Sequence, residues 1–247
     1  MTEKKAILFD LDNTLYEYEP VHKKSIKAVY EYLEKKLKIS YKKFIELYNF
    51  SRKEIHQELA GTASAHNRVL YFQRLIEKLQ GTVEPSIILR LYEIYWGTTI
   101  KNIKLRKGVL STLKELKKQG LKILIVSDLT THIQLRKIHK LGITKYIDYL
   151  VTSEEAGSEK PHSIMFLLAL NKINMLPQDV IMIGDNKIND IEGANSVGID
   201  TVLIGSKNIK KNKKDFSRPD FVIKQIPDLL KIINTKQNFS RPTTFFF

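Results

Sequence analysis

Ala6-Ile-Leu-Phe-Asp-Leu-Asp-Asn-Thr-Leu15 decides the reading of this chain: four apolar residues, then two aspartates one residue apart and a threonine. A short apolar run that ends abruptly in polar residues has the pattern of a strand buried on both faces. Working outward, the same pattern recurs at Leu121-Lys-Ile-Leu-Ile-Val126, Val180-Ile-Met-Ile183 and Thr201-Val-Leu-Ile204, with Ile147 to Thr152 and Phe221 to Ile223 as weaker strand candidates. Between these runs lie segments of helical period, Val109 to Gln119, Thr131 to Lys140, Pro161 to Lys172 and Lys187 to Val197. Regular alternation of strand and helix predicts right-handed crossovers, hence an α/β fold with an open parallel sheet and helices on both faces.

Residues from about Pro20 to Ile100 break the alternation. Ile26, Val29, Tyr30, Leu33 and Leu37 follow helical spacing, as do Val69, Phe72, Leu75, Ile76 and Leu79, and then Ile87, Ile88, Leu91, Tyr92 and Tyr95. This predicts an all-helical insert of some four helices, broken near Ser40, Gly61 and Gly81 to Pro85, that separates the first strand from the rest of the sheet. Trp96 and the tyrosines of the fourth helix read as packing residues. After Asn234 periodicity ends, and the Phe-rich tail is expected to be disordered.

The composition narrows the class. The chain has 247 residues, 43% apolar and 28% charged, so it can bury a sizeable core. It contains no cysteine, which excludes disulfides, thiolate metal sites and a cysteine nucleophile. The polar N-terminus, the early aspartates and the lack of any long apolar stretch point to a protein with neither signal peptide nor membrane anchor, and to the cytoplasm. The formal charge is +14, from 41 Lys+Arg against 27 Asp+Glu. Most lysines alternate with glutamates along predicted helices, so nucleic acid is not the expected partner. The basic stretch Lys207 to Arg218, with only Phe216 as an aromatic, reads as a solvated loop. Oligomeric state is not readable.

Open parallel sheets bind ligands beyond the carboxyl ends of their strands. There the chain carries Asp10 and Asp12, then Ser127-Asp128, then Lys160-Pro161, then Gly184-Asp185-Asn186 with Asp190 one turn on. Singly, each is an ordinary helix cap or a solvated lysine. Together, the four acidic residues Asp10, Asp12, Asp185 and Asp190 at one sheet edge repel one another unless a hard cation such as Mg²⁺ neutralises them. Lys160 and Ser127, each next to a helix start, supply a cation, a hydroxyl and free N–H groups for an anion. A carboxylate nucleophile facing a bound anion suggests phosphoryl transfer.

Asp10-Leu-Asp-Asn-Thr-Leu15, Ser127, Lys160-Pro161 and Gly184-Asp-Asn-Lys-Ile-Asn-Asp190 resemble, in order and approximate spacing, the four motifs of the haloacid dehalogenase-like hydrolase superfamily. The resemblance extends over Leu141-Gly142, Ser153 to Gly157 and Gly193-Ala194, up to about Leu230. It implies a Rossmann-like core of residues 1–16 and 101–233, a helical cap of residues 17–100 inserted after the first motif, and a tail of residues 234–247. It also implies roles. Asp10 is the nucleophile that forms an aspartyl-phosphate, and Asp12 protonates the leaving alkoxide and then activates water. Mg²⁺ is held by Asp10, the backbone carbonyl of Asp12 and Asp185, with Asp190 a ligand through water or a partner of Lys160. Ser127 and Lys160 bind the phosphoryl oxygens.

An acid at position 12 favours a phosphatase acting on a small phosphorylated metabolite (a nucleotide, a sugar phosphate or similar) over a 2-haloacid dehalogenase, whose halide leaves without a proton. A non-catalytic polyanion binder on the same fold is the competing class, and it gains nothing from four aspartates. Asp128 departs from the Asn or small residue common after the second motif, and its role is left open. In the cap, His66 and Arg68, just ahead of a helix with Asn67 and Tyr71, are candidates for contacting the substrate's leaving group.

Overall fold

The computed structural model describes residues 4–205 and 216–234. β1 (Ala6–Phe9) lies inside a six-stranded parallel sheet with β2 (Lys122–Ser127), β3 (Tyr149–Thr152), β4 (Val180–Gly184), β5 (Asp200–Ile204) and β6 (Phe221–Ile223), in the order β3-β2-β1-β4-β5-β6. The strand order reverses direction between β1 and β4, the kind of crevice where parallel sheets bind ligands. Phe9 pairs with Ile125 on one side and Ile183 on the other, so Asp10, Ser127 and Asp185 leave the sheet at one edge.

The unbroken apolar run of β1 follows from its two covered faces. Ile7 and Phe9 join one buried cluster with Val109, Leu113 and Leu116 of α5 (Val109–Lys118) and with Leu229 of α10 (Leu229–Asn234). Ala6 and Leu8 join another with Met165, Phe166 and Ala169 of α8 (Ser163–Ile173). Strands of period two thus feed both layers without a polar residue between.

The insert consists of α1 (Tyr18–Leu37), α2 (Tyr41–Glu58), α3 (Arg68–Gln80) and α4 (Pro85–Asn102), the last ending two residues beyond the expected boundary. The Ser40 hydroxyl caps α2 by accepting from the Lys43 N–H, and Asn67 caps α3 by accepting from the Val69 N–H at 2.9 Å. Gly81, at φ 73°, closes α3 in the left-handed region. Val29, Leu33, Phe44, Phe72, Leu91 and Trp96 form a separate buried cluster, into which Leu129 and Ile133 reach from the sheet side. Ile133 belongs to α6 (Thr131–Lys140), so α6 touches both layers.

Two helical segments differ from expectation. The one foreseen from Pro161 starts at Ser163, with His162 as its cap accepting from the Ile164 N–H. The segment foreseen as a helix from Lys187 to Val197 is a wide π turn, Lys187–Glu192, followed by the short α9 (Gly193–Ser196). The wide turn lets Asp190 fold back on the end of β4, where a Cβ on Gly184 would stand 2.1 Å from its carboxylate. Only glycine fits there. The short α7 (Ser153–Ala156) completes the described helices. The expected disordered tail beyond Asn234, and residues 207–215 of the basic stretch, lie outside the described residues.

Candidate active site

Asp10, Asp12, Ser127, Asp128, Lys160, Asp185 and Asp190 surround one cleft of about 310 Å³ between the sheet edge and the helical insert. A larger cleft, about 440 Å³ and lined by Lys104, Arg106 and Lys224 among others, holds none of them.

The floor is a chain of compensated charges. Lys160, 5% exposed, donates from Nζ to Asp10 Oδ1 and to Asp190 Oδ1, each at 2.7 Å. Asp190 Oδ2 accepts from the Asn186 N–H, and Thr14 Oγ1 contacts Asp185 Oδ1 at 3.5 Å. Burial raises the Asp10 carboxyl well above the usual carboxylate range, and Asp190, Asp185 and Asp12 add to the rise against the pull of Lys160. Burial, helped by Asp190, lifts Asp185 to about 6. Burial by itself would lower the Lys160 ammonium, but Asp10 and Asp190 push it well up.

Ligand oxygens of Asp10, Asp185 and Asp190 lie within 4.8 Å of one another, and Asp10 Oδ2 is buried with no hydrogen-bond partner among the described residues. Asp10 and Asp185, whose ionisation is suppressed by desolvation and neighbouring carboxylates, together with Asp190 and the free oxygen of Asp10, fit a hard divalent cation. The Asp12 carboxylate is not part of that group, so its expected share in metal binding rests on the backbone carbonyl.

Ser127, at the end of β2, accepts at Oγ from Gln134 Nε2 at 2.7 Å. Asp128 accepts the Lys160 N–H at Oδ1, 2.9 Å away. This answers the question of Asp128: its carboxylate ties the second motif to the third, while burial raises its pKa. The Asp12 carboxylate faces donors that lie outside the four motifs. Lys137 Nζ reaches Oδ1 at 2.7 Å and Oδ2 at 2.8 Å, Gln134 Nε2 reaches Oδ2 at 3.3 Å, and the Tyr16 hydroxyl donates to Oδ1. Burial would raise Asp12, yet the Lys137 ion pair and these hydrogen bonds bring it below the usual value, so the free protein holds it as a carboxylate.

The opposite wall comes from the insert. Arg68 is buried, with its terminal nitrogens on the Tyr18 hydroxyl and the His66 carbonyl, each at 2.6 Å, and its guanidinium 5.2–5.7 Å from the ring centres of Tyr71, Tyr95 and Trp96. His66 lines the cleft 3.4 Å from Glu159, with burial and then Arg68 lowering it to about 3. Burial, helped by Asp128, raises Glu159 to about 8, so at neutral pH this contact joins two largely neutral groups. Arg52, on α2, lines the same cleft, is exposed, and makes no ion pair among the described residues. Its place is set by helix packing, and no motif marks it. Tyr16, Gln134, Lys137 and Glu159 are likewise brought to the site by packing, outside any motif.

The sequence profile of the haloacid dehalogenase-like hydrolases matches residues 7–204, and the chain belongs to that family. It is 42% identical to a ribulose-1,5-bisphosphate 5-phosphatase of Halopiger xanaduensis over 80% of this chain and 83% of that one. A glyceraldehyde 3-phosphate phosphatase of Methanopyrus kandleri is 29% identical over 93% of this chain and 97% of its own. Among solved structures, a phosphatase of the same superfamily from Thermococcus onnurineus superposes with a TM-score of 0.72 at 26% identity, covering 93% of this chain and 98% of that one. The chain is a phosphoric monoester hydrolase. No helix among the described residues is long and apolar enough to cross a membrane.

Proposed function

We propose that the chain is a Mg²⁺-dependent phosphatase that hydrolyses small sugar phosphates through an aspartyl-phosphate on Asp10. The observation that carries this reading is the buried Oδ2 of Asp10, without a hydrogen-bond partner among the described residues, on a carboxylate that Lys160 holds by Oδ1 and that groups with Asp185 and Asp190 in a cleft shared with Ser127.

In the first step an Asp10 carboxylate oxygen bonds to phosphorus as the ester oxygen leaves, and Asp12 gives that oxygen its proton. Since Asp12 rests as a carboxylate, the proton arrives with the substrate, bound as its phosphate monoanion. In the second step Asp12 takes a proton from water, whose oxygen attacks phosphorus and frees Asp10. Ser127 and Lys160 hold the phosphoryl oxygens in both steps. Asp10, Asp185, Asp190 and the Asp12 carbonyl would hold Mg²⁺, which supplies charge stabilisation on the transferring phosphoryl group.

A dehalogenase reading gives Asp12 and its donors no work, and a non-catalytic polyanion binder gives none to the acidic floor. For the substrate, two observations support a sugar phosphate with a second anionic group. One is Arg52, an exposed cation of the cleft that makes no ion pair among the described residues. The other is the name of the 42%-identical relative, a phosphatase of a bisphosphate. His66 and Arg68 shape the wall on that side, Arg68 through the Tyr18 hydroxyl. The lack of cysteine supports a cytoplasmic location for this reaction.

The test is phosphate release over a set of sugar mono- and bisphosphates and nucleotides, with Mg²⁺ and with EDTA. Hydrolysis should need Mg²⁺, and Asp10→Asn should lower it by at least about 10³-fold. Substantial turnover in EDTA or in that variant overturns the mechanism.

A further inference from the structure

Outside the four motifs, one helix delivers two buried polar side chains to the catalytic groups. Gln134 and Lys137 lie three residues apart on α6, and therefore on one face of it. Both are fully buried. Gln134 Nε2 contacts Ser127 Oγ and the Asp128 carbonyl at 2.7 Å and Asp12 Oδ2 at 3.3 Å. Lys137 Nζ contacts both Asp12 oxygens, under the rings of Trp96 at 5.4 Å and Tyr16 at 5.8 Å.

We propose that Lys137 and Gln134 are positioning residues of the hydrolysis, holding the Asp12 carboxylate at a fixed place relative to the Ser127 phosphate site. A buried ion pair is a poor source of stability compared with apolar packing of the same volume, so this pair has little structural value at such a position. Its geometry does serve transfer of a proton. Two donors from one rigid helix reach both oxygens of Asp12, and the same Gln134 nitrogen touches the group proposed to hold the phosphoryl oxygens. Displacement of a reacting group by about 1 Å costs on the order of 10²-fold in rate. α4 covers the ammonium through Trp96, so the position of Asp12 is set partly by the helical insert. The inference rests on Asp12 being the group that moves protons.

The experiment is a double-mutant cycle of Lys137→Met and Asp12→Asn on the full chain with Mg²⁺. It is read by pre-steady-state release of nitrophenolate from p-nitrophenyl phosphate and by steady-state release of phosphate. Nitrophenolate leaves without help from an acid, so Lys137→Met should keep a burst within about 3-fold of the wild-type rate while steady-state turnover falls on the order of 10²-fold. In the Asp12→Asn background, Lys137→Met should cost nothing further. Full additivity, or loss of the burst together with turnover in a folded variant, overturns the positioning role and leaves the phosphatase reading intact. Wild-type turnover retained in Asp12→Asn overturns the role of Asp12, and this proposal with it. If Lys137→Met does not fold, Lys137→Arg keeps the charge and misplaces it. It should lower turnover about tenfold in the wild-type background and not at all beside Asp12→Asn, and an equal loss in both backgrounds overturns the proposal.

Discussion

The two walls of the cleft handle charge in opposite ways. At the sheet edge most ionisable groups are paired inside the protein: Lys160 bridges Asp10 and Asp190, Lys137 clasps Asp12, and Asp128 accepts the Lys160 N–H, while Asp185 has only the Thr14 hydroxyl as a side-chain partner among the described residues. On the insert side, Arg68 is held by a hydroxyl, a carbonyl and aromatic faces, none of them charged, while burial keeps His66 neutral. Arg52 stands without an ion pair among the described residues. A reacting group must stay in one place, and paired charges fix it. A wall that receives the rest of the substrate gains from positive charge left uncancelled, because attraction for an anion is weakened by every internal partner.

The largest effect that would break this contrast concerns Asp12. Asp12→Asn keeps the backbone carbonyl and should lower hydrolysis of an alkyl phosphate about 10²–10⁴-fold. With p-nitrophenyl phosphate the same variant should give a burst of nitrophenolate and then stall as the phosphoenzyme, detectable by mass spectrometry as phosphate on Asp10. Equal steady-state loss on both substrates, with no burst, would assign Asp12 another task.

A smaller effect tests the opposite wall. Arg52→Ala should raise KM about tenfold for a sugar bisphosphate and leave KM for p-nitrophenyl phosphate within about 3-fold, since only binding of the second anion is lost. The KM of the wild type for the bisphosphate should also rise with ionic strength more steeply than that of the variant. A uniform change on both substrates would make Arg52 a structural residue.

The smallest effect is on stability. Asp185 sits at about 6 in the folded protein, above its ordinary value of 3.8. Between those values the folded state binds more protons than the unfolded state, so this group lowers stability as pH rises from about 4 through 6. Above that range the penalty is constant. In metal-free protein, Asp185→Asn should therefore melt slightly higher than wild type at pH 7.5, solvent at this exposed residue screening much of the effect, with the gap closing toward pH 4. Mg²⁺ should raise the wild-type Tm at pH 7.5 and that of the variant much less. A gap that is unchanged with pH would mean that Asp185 is not held under this strain.

How much was legible in the sequence follows from how each part is encoded. The strands of the sheet were readable because burial on both faces leaves local apolar runs. Asp10, Ser127, Lys160, Asp185 and Asp190 were readable as neighbours because each follows a strand or opens a helix, and parallel topology brings such positions to one edge. The π turn at Lys187–Glu192 was not, since its residues have ordinary helical spacing and its accompanying close approach of Asp190 to Gly184 is a tertiary contact. Gln134 and Lys137 looked like any polar residues on a helix. Their partner Asp12 is distant in sequence, and only the packing of α6 shows which side of the helix is buried. Arg68 was visible as a candidate, but the engagement of its terminal nitrogens by Tyr18 and His66 was not.

The site of insertion also shapes how the chain assembles. β1 is made first yet lies inside the sheet, and its neighbours begin only at Lys122 and Val180. As the polypeptide grows, an apolar strand therefore waits with both hydrogen-bonding edges open, while α1 to α4 are complete at Asn102 and can begin to pack as a local unit. Closure of the sheet is a late, non-local event, the slow kind of contact to form and the kind that leaves a strand edge exposed to other chains. Truncations ending between Asn102 and Val180 should accordingly keep helical content and aggregate through β1.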